Sequence, residues 1–252
     1  MQQGRFKDKI ILVTGGNSGI GKATAILFAE QGAKVAIAAR RKDEGETVVA
    51  QIKESGGEAF FIKTDVANAK DVEAMVQQTV DKYGRLDIAY NNAAISSGRN
   101  FIADIEEGHW DRVLDINLKG MFLCMKYEIK EMLKRKQGVI VNCGSVSGVA
   151  ATPYATPYSA SKFGLIGLTR AAAKECAPLG IRINIVCPGW VDTPVIDYLR
   201  NKPEFEKKSR ELIPLGRFAE PQEIAKVVAF LCSDDAGYMV GAAVLADGGM
   251  MW

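Results

Sequence analysis

The sequence predicts an α/β fold: a single doubly wound domain whose seven-stranded parallel sheet carries helices on both faces. Three observations predict it. Short β-branched or apolar runs alternate with longer stretches of helical period along the chain, the pattern of repeated strand–helix units. The runs are apolar throughout rather than alternating, as strands covered on both faces must be. No linker rich in Pro, Gly or Ser and no internal repeat divides the 252 residues, so residues 1–252 read as one unit.

The elements follow in order. Strands are expected at Ile10–Thr14, Lys34–Ala39, Ala59–Lys63, Leu86–Asn91, Gly138–Cys143, Ile181–Cys187 and Ala243–Ala246. Between them, helices are expected at Gly19–Gln31, Glu44–Ser55, Asn68–Tyr83, His109–Lys136, Tyr158–Ala177 and Pro221–Cys232. Asn68 suits an N-cap, with Asp71 adding acidic charge in the first turn. Pro221 fits the first turn of its helix, where its missing N–H would have no partner. Residues 190–216 break the alternation: Pro194, Pro203 and Pro214 stand there among charges and aromatics. This stretch reads as an insertion with one or two short helices, acting as a substrate lid.

Composition removes several function classes. Net charge is +2, from 32 basic and 30 acidic residues, with no long basic run, so no nucleic-acid partner is expected. The five cysteines, Cys124, Cys143, Cys176, Cys187 and Cys232, show no CxxC spacing. They read as free thiols in a reducing compartment, and the location is expected to be cytoplasmic. No apolar signal run follows the N-terminus, and Ile10–Thr14 is too short to span a bilayer. No membrane association is expected. His109 is the only histidine. A zinc site or a Ser-His-Asp triad would have to use it, and it sits where an amphipathic segment begins. No metal is expected.

After the first strand comes Thr14-Gly15-Gly16-Asn17-Ser18-Gly19-Ile20-Gly21-Lys22. Glycines permit a tight strand-to-helix turn and a close backbone approach to a ligand. The helix start that follows offers free N–H groups to a phosphate. Gly16 to Lys22 nearly matches the triphosphate loop G-x-x-x-x-G-K-[ST], but Ala23 lacks the hydroxyl that would hold Mg²⁺. A dinucleotide is the better fit. At the end of the second strand, a carboxylate would read the ribose 2′-OH of NAD(H). The chain instead has Arg40-Arg41-Lys42, which suits the 2′-phosphate of NADP(H). NADP(H) is expected, with NAD(H) as the alternative.

Tyr158 and Lys162 stand four apart in a predicted helix and share one face. A free phenol, with a pKa of about 10, is a poor acid–base group at neutral pH. A neighbouring ammonium favours phenolate over phenol, so a Tyr–Lys pair can pass a proton to or from a substrate oxygen.

Together with the glycine turn, these residues resemble the short-chain dehydrogenase/reductase family, over essentially the whole chain. Thr14-Gly15, Gly19 and Gly21 match its cofactor turn, and Asp65-Val66 its adenine contact. Asn91-Asn92-Ala93-Ala94 matches its N-N-A-G segment, with Ala94 departing from glycine. Asn117 matches the helix asparagine; Ser145 lies thirteen residues before Tyr158; Pro188-Gly189 with Thr193 matches the nicotinamide-side turn. The resemblance implies a Rossmann fold. It also implies a catalytic set of Asn117, Ser145, Tyr158 and Lys162. Ser145 would bond the substrate oxygen and Tyr158 would pass the proton. Lys162 would also hold the nicotinamide ribose, and Asn117 would bend its helix and position a water leading to Lys162. The implied cofactor contacts are Gly15, Asn17, Ser18, Gly19, Ile20, Gly21, Arg40, Arg41, Asp65, Val66, Asn91, Ala93, Tyr158, Lys162, Pro188, Gly189, Val191 and Thr193.

The substrate is expected to be a mainly apolar ketone, aldehyde or secondary alcohol, chosen by Ile95, Val149, Tyr154, Trp190, Val191, Ile196, Tyr198 and Leu199. A homotetramer is expected, with a homodimer as the alternative. The apolar tail Met250-Met251-Trp252 is expected at a subunit contact. Two other function classes use the same fold: a nucleotide-binding regulator, and a non-redox lyase or isomerase. A regulator has no need of Ser145, Tyr158 and Lys162 together, and absorbance at the reduced-nicotinamide band separates a lyase or isomerase from hydride transfer.

Overall fold

A computed structural model describes residues 4–196 and 203–251. Seven strands form one parallel sheet: β1 (Ile10–Thr14), β2 (Lys34–Ala39), β3 (Glu58–Lys63), β4 (Ile88–Asn91), β5 (Gly138–Cys143), β6 (Ile181–Pro188) and β7 (Ala243–Ala246). Their spatial order is β3-β2-β1-β4-β5-β6-β7. Helices α1 (Gly19–Glu30) and α2 (Lys42–Glu54), with helix Pro221–Cys232, cover one face. On the other face lie α3 (Ala69–Tyr83), α5 (Gly120–Met132) and α6 (Thr156–Cys176).

The apolar runs acquire their reason here. Ile11 and Val13 pack in the cluster with Phe28 and Val228, whereas Leu12 packs with Met75 and Leu123 on the opposite face. Successive strand residues point to opposite sides, and both sides are dry. At the start of α3, Asn68 Oδ1 accepts from Lys70 N at 2.9 Å, the expected cap. Helix Pro221–Cys232 starts with a capping box between Glu220 and Glu223.

Several boundaries differ from expectation. The stretch 109–136 is not one helix but α4 (Glu107–Leu114), a π-turn (Asp115–Lys119) and α5. A π-turn inserts one residue without interrupting the helical path, so periodicity reads straight through it. β4 starts two residues later than expected. Asp87, just ahead of it, donates its N–H to Ile10 O at 3.0 Å and accepts from Ile10 N with its carboxylate at 2.9 Å. α6 begins at Thr156, ahead of Tyr158. Among its described residues the insertion holds a helical turn, Pro194–Ile196, and a helix, Pro203–Glu211. Tyr198, Leu199 and Trp252 lie outside the described residues. Within its own chain Met250 is partly buried, packed against the cluster of Ile196, Ile213 and Phe218 beside Trp190.

Under the sheet, a polar network joins β4, β5 and α5. Asn91 Nδ2 donates to Glu128 Oε2 (2.9 Å) and Asn142 Oδ1 (3.1 Å), and Asn142 Nδ2 donates to Thr169 Oγ1 (2.9 Å). Asn91 Oδ1 and Glu128 Oε1 are buried with no hydrogen-bond partner. Burial pushes the Glu128 carboxyl up to about 7, against the Asn91 amide, which pulls it down. The folded protein therefore holds this proton where the unfolded chain releases it. Stability is expected to be fully present below about pH 4.5 and to fall as pH rises to about 7. The loss attributable to this group is about 3 kcal/mol. Urea unfolding of the parent and of Glu128→Gln at both ends of that window measures it. The amide should lack this part of the slope; an equal slope in both proteins would mean the carboxyl is already charged in the fold.

Among the described residues no helix is long and apolar enough to cross a membrane, and all five cysteines are free and buried.

Candidate active site

The strand order reverses between β1 and β4, so the chains leaving their carboxyl ends part in opposite directions and open a crevice. The crevice has room for about 320 Å³. The ends of six strands, β1 to β6, and the first turns of α6 line it.

Its floor is the glycine turn. Gly15 and Gly19 have φ of +65° and +52°, shapes that glycine adopts without strain. A Cβ on Gly21 would stand 2.2 Å from Gly15 O and 2.6 Å from Asn92 Nδ2. Bare backbone therefore packs on backbone, and the N-terminus of α1 faces the crevice through Ser18, Gly19 and Ile20. Asn92 fastens this corner: its Nδ2 donates to Thr14 O and Gly15 O, while Thr14 Oγ1 accepts from Asn92 N and Ala93 N.

At the end of β2, Arg40 is exposed and lines the crevice. Arg41 pairs with Glu44 and donates to Ser18 Oγ at 3.2 Å. Glu44 also accepts from Asn17 Nδ2 at 2.8 Å, and Arg41 holds its carboxyl below the usual range. This mesh shapes the rim of the turn. Across from it, Asp65 Oδ1 accepts from Ala67 N (3.0 Å), setting Asp65 and Val66 at the rim beyond β3.

The end of the crevice that holds Ser145, Tyr158 and Lys162 is built by β5 and α6. Lys162 is buried, and its Nζ donates to Cys143 O at 2.8 Å and stands 5.4 Å from the centre of the Tyr158 ring. One turn of helix separates the two residues, which is why they meet. Ser145 Oγ accepts from Ser147 N at 3.1 Å. That bond occupies a lone pair and leaves the hydroxyl proton free to donate outward. Pro188 at the end of β6 and Gly189, Val191 and Thr193 beyond it line another wall.

Seventeen of the twenty catalytic and cofactor residues marked by the sequence meet at this one crevice, from Gly15 to Thr193; of the expected substrate residues, Ile95, Trp190, Val191 and Ile196 line it, and Val149 and Tyr154 do not. Gly21, Asn91 and Asn117 do not line it. Gly21 acts from below, as the close contact described above. Asn91 points its side chain into the buried Glu128 network, and its neighbour Asn92 serves the crevice instead. Asn117, inside the π-turn, clasps the Ile95 backbone: its Oδ1 accepts from Ile95 N and its Nδ2 donates to Ile95 O, both at 2.9 Å. Nδ2 also reaches Ser161 Oγ at 3.4 Å. Ala94 takes no positive φ, so its methyl costs no backbone strain.

Two residues beside the crevice make bonds that the sequence does not foretell. His109 Nε2 donates to Ser97 O at 2.9 Å and ties α4 to the loop after β4. Tyr154 takes φ +67°, its carbonyl accepts from Asn100 N at 2.8 Å, and Arg99 lies 5.9 Å from its ring. No local pattern marks either bond.

A dinucleotide suits these residues. The floor is free of side chains, a helix start faces the place for phosphate, cations stand at the end of β2, and the Lys162 ammonium has two N–H donors to spare. Among the described residues no group of three His, Cys, Asp or Glu could hold a metal ion. Fold and site thus define a nucleotide-cofactor oxidoreductase. Comparison with known proteins carries this further. A family model described as enoyl-(acyl carrier protein) reductase matches residues 15–251. The chain is 39% identical to a 3-oxoacyl-[acyl-carrier-protein] reductase of Thermotoga maritima, covering 98% of this chain and 99% of that one. It is 40% identical to a cyclohexanol dehydrogenase of Acinetobacter sp., covering 97% and 95%. The crystal structure of levodione reductase superposes with a TM-score of 0.92 at 38% identity, covering 97% and 98%. The chain belongs to the short-chain dehydrogenase/reductase family and is an NAD(P)-dependent enzyme with the fold of that family.

Proposed function

We propose that this enzyme interconverts a mainly apolar ketone or aldehyde and the corresponding alcohol, with NADP(H) as its preferred cofactor. The observation that carries the reading is the Lys162 ammonium, 5.4 Å from the Tyr158 ring centre and beside Ser145 in the crevice. The bound nicotinamide supplies or accepts the hydride. Ser145 donates its hydroxyl proton to the substrate oxygen. Tyr158 gives its proton to that oxygen in reduction and takes it back in oxidation. Lys162 places fixed positive charge beside the phenol and offers its remaining donors to the nicotinamide ribose. Asn117 is a positioning residue that sets the Ile95 loop against the catalytic helix. Residues 190–216 act as a lid over the substrate end, within a single domain.

Apolar side chains support the substrate class: Ile95, Val146, Trp190, Val195 and Ile196 line that end of the crevice. Two of the relatives are named for cyclohexanol and levodione. The acyl-carrier relative favours a second substrate, a 3-oxoacyl thioester. A panel of ketones, alcohols and acetoacetyl thioester, followed at the reduced-nicotinamide absorbance with both cofactors, separates the two. Inert apolar ketones beside rapid turnover of a charged substrate would reject the first reading.

Cofactor preference rests on Arg40. Arg41 is engaged by Glu44, whereas Arg40 is exposed and lines the crevice, where its guanidinium can meet a 2′-phosphate. Arg40→Asp is expected to shift the NADPH/NADH ratio of kcat/KM toward NADH by about tenfold or more, the worth of a charged hydrogen bond. An unmoved ratio would mean that the phosphate is read elsewhere.

The buried free thiols support a cytoplasmic setting. Phe122 on α5 and Phe163 on α6, both 46% exposed, support assembly as a homotetramer through these helices; sedimentation at micromolar concentration reads the size.

A further inference from the structure

We propose that Met250, near the C-terminal end of the chain, is a specificity-determining wall of the substrate end of the crevice, set in place by a turn built on Asp247. The proposal rests on the ketone reading above and adds a residue to it. Beyond β7 the chain folds back on Asp247. One carboxylate oxygen accepts from Gly249 N and the other from Met251 N, each at 3.0 Å. Gly248 and Gly249 take φ of +67° and +88°. Their bare backbone lies on the insertion: a Cβ at Gly248 would stand 2.7 Å from the Ile213 side chain, and one at Gly249 3.0 Å from Pro214. Leu215 N donates to Gly248 O at 3.3 Å.

The other side of the same turn abuts Gly189. A Cβ there would stand 2.9 Å from Asp247 Cα, and Gly189 N donates to Ala246 O at 3.1 Å. The tail is thus wedged between the wall after β6 and the insertion. Among the described residues of the tail, Met250 is the one that lines the crevice, packed against the cluster of Ile196, Ile213 and Phe218 beside Trp190. An unbranched thioether adapts its shape to what lies against it. Placed here, it sets how much apolar bulk the substrate can carry on the side away from Tyr158.

The test compares cyclohexanone with 4-tert-butylcyclohexanone in the parent, Met250→Ala and Met250→Phe, with NADPH. Shortening the side chain is expected to raise the bulky-to-small ratio of kcat/KM by about tenfold, and the phenyl ring to lower it by a similar factor. NADPH affinity is expected to stay at the parent value in both. The same ratio is read without turnover by titrating each ketone against tryptophan fluorescence, since Trp190 lines the crevice. Should Met250→Ala fail to fold, Met250→Phe and a chain ending at Gly249 carry the comparison. A ratio that stays at the parent value by both readouts overturns the proposal. Ketones that bind with the expected ratio but are not reduced would sink the reaction reading and leave the wall standing.

Discussion

Phenylalanine in place of Tyr158 is expected to lower turnover by about 10²- to 10⁴-fold, the usual worth of a positioned acid–base group, while cofactor affinity stays near that of the parent. The substitution removes one oxygen and keeps the ring. Lys162 keeps its bond to Cys143 O and its place 5.4 Å from the ring centre. Ser145 keeps the proton it offers to the substrate, because its acceptor bond to Ser147 N does not involve the tyrosine. The loss is therefore confined to proton transfer, and kcat should fall more than KM rises. Steady-state rates at the reduced-nicotinamide absorbance, paired with a cofactor titration on tryptophan fluorescence, separate the two effects. A variant as fast as the parent would remove the phenol from the chemistry.

Alanine at Gly21 is expected to act at the other end of the crevice, weakening cofactor binding by about tenfold to a hundredfold and lowering Tm. The added methyl would stand 2.2 Å from Gly15 O and 2.6 Å from Asn92 Nδ2. Neither is the far end of a flexible side chain: one is backbone, and the other already bonds Thr14 O and Gly15 O. Relief requires α1 to move off the turn, which carries its N-terminus away from the phosphate position. Overpacking of this kind costs about 1–3 kcal/mol. Thermal unfolding should record that cost in the free protein, and the fluorescence titration should record the displaced helix start. Unchanged affinity would show that α1 and the turn are not held in register by this contact.

These two residues differ in how well the sequence reveals them. Tyr158 and Lys162 are neighbours through helix geometry alone, so their spacing was enough to place them together. Gly21 belongs to a recognisable turn, but its work is a contact with Asn92, more than seventy positions away. The asparagine pair after β4 makes the same point. Strand geometry says that Asn91 and Asn92 face opposite ways. It does not say which way is the crevice. That depends on α5, which brings Glu128 beneath the sheet to meet Asn91. The split of the stretch 109–136 was invisible for a related reason. A π-turn preserves the local pattern while rotating everything after it, and its value lies in presenting Asn117 to Ile95.

What the sequence by itself determined was the layered parallel sheet, the glycine turn and the Tyr–Lys pair. Each depends on residues within a few positions of one another, where dihedral preference and element period act directly. Only the tertiary structure decided that Asn92 rather than Asn91 serves the crevice, that His109 ties down the loop at Ser97, and that Met250 lines the crevice. Those outcomes depend on which distant segments pack together. Burial of apolar surface chooses that packing without regard to distance along the chain.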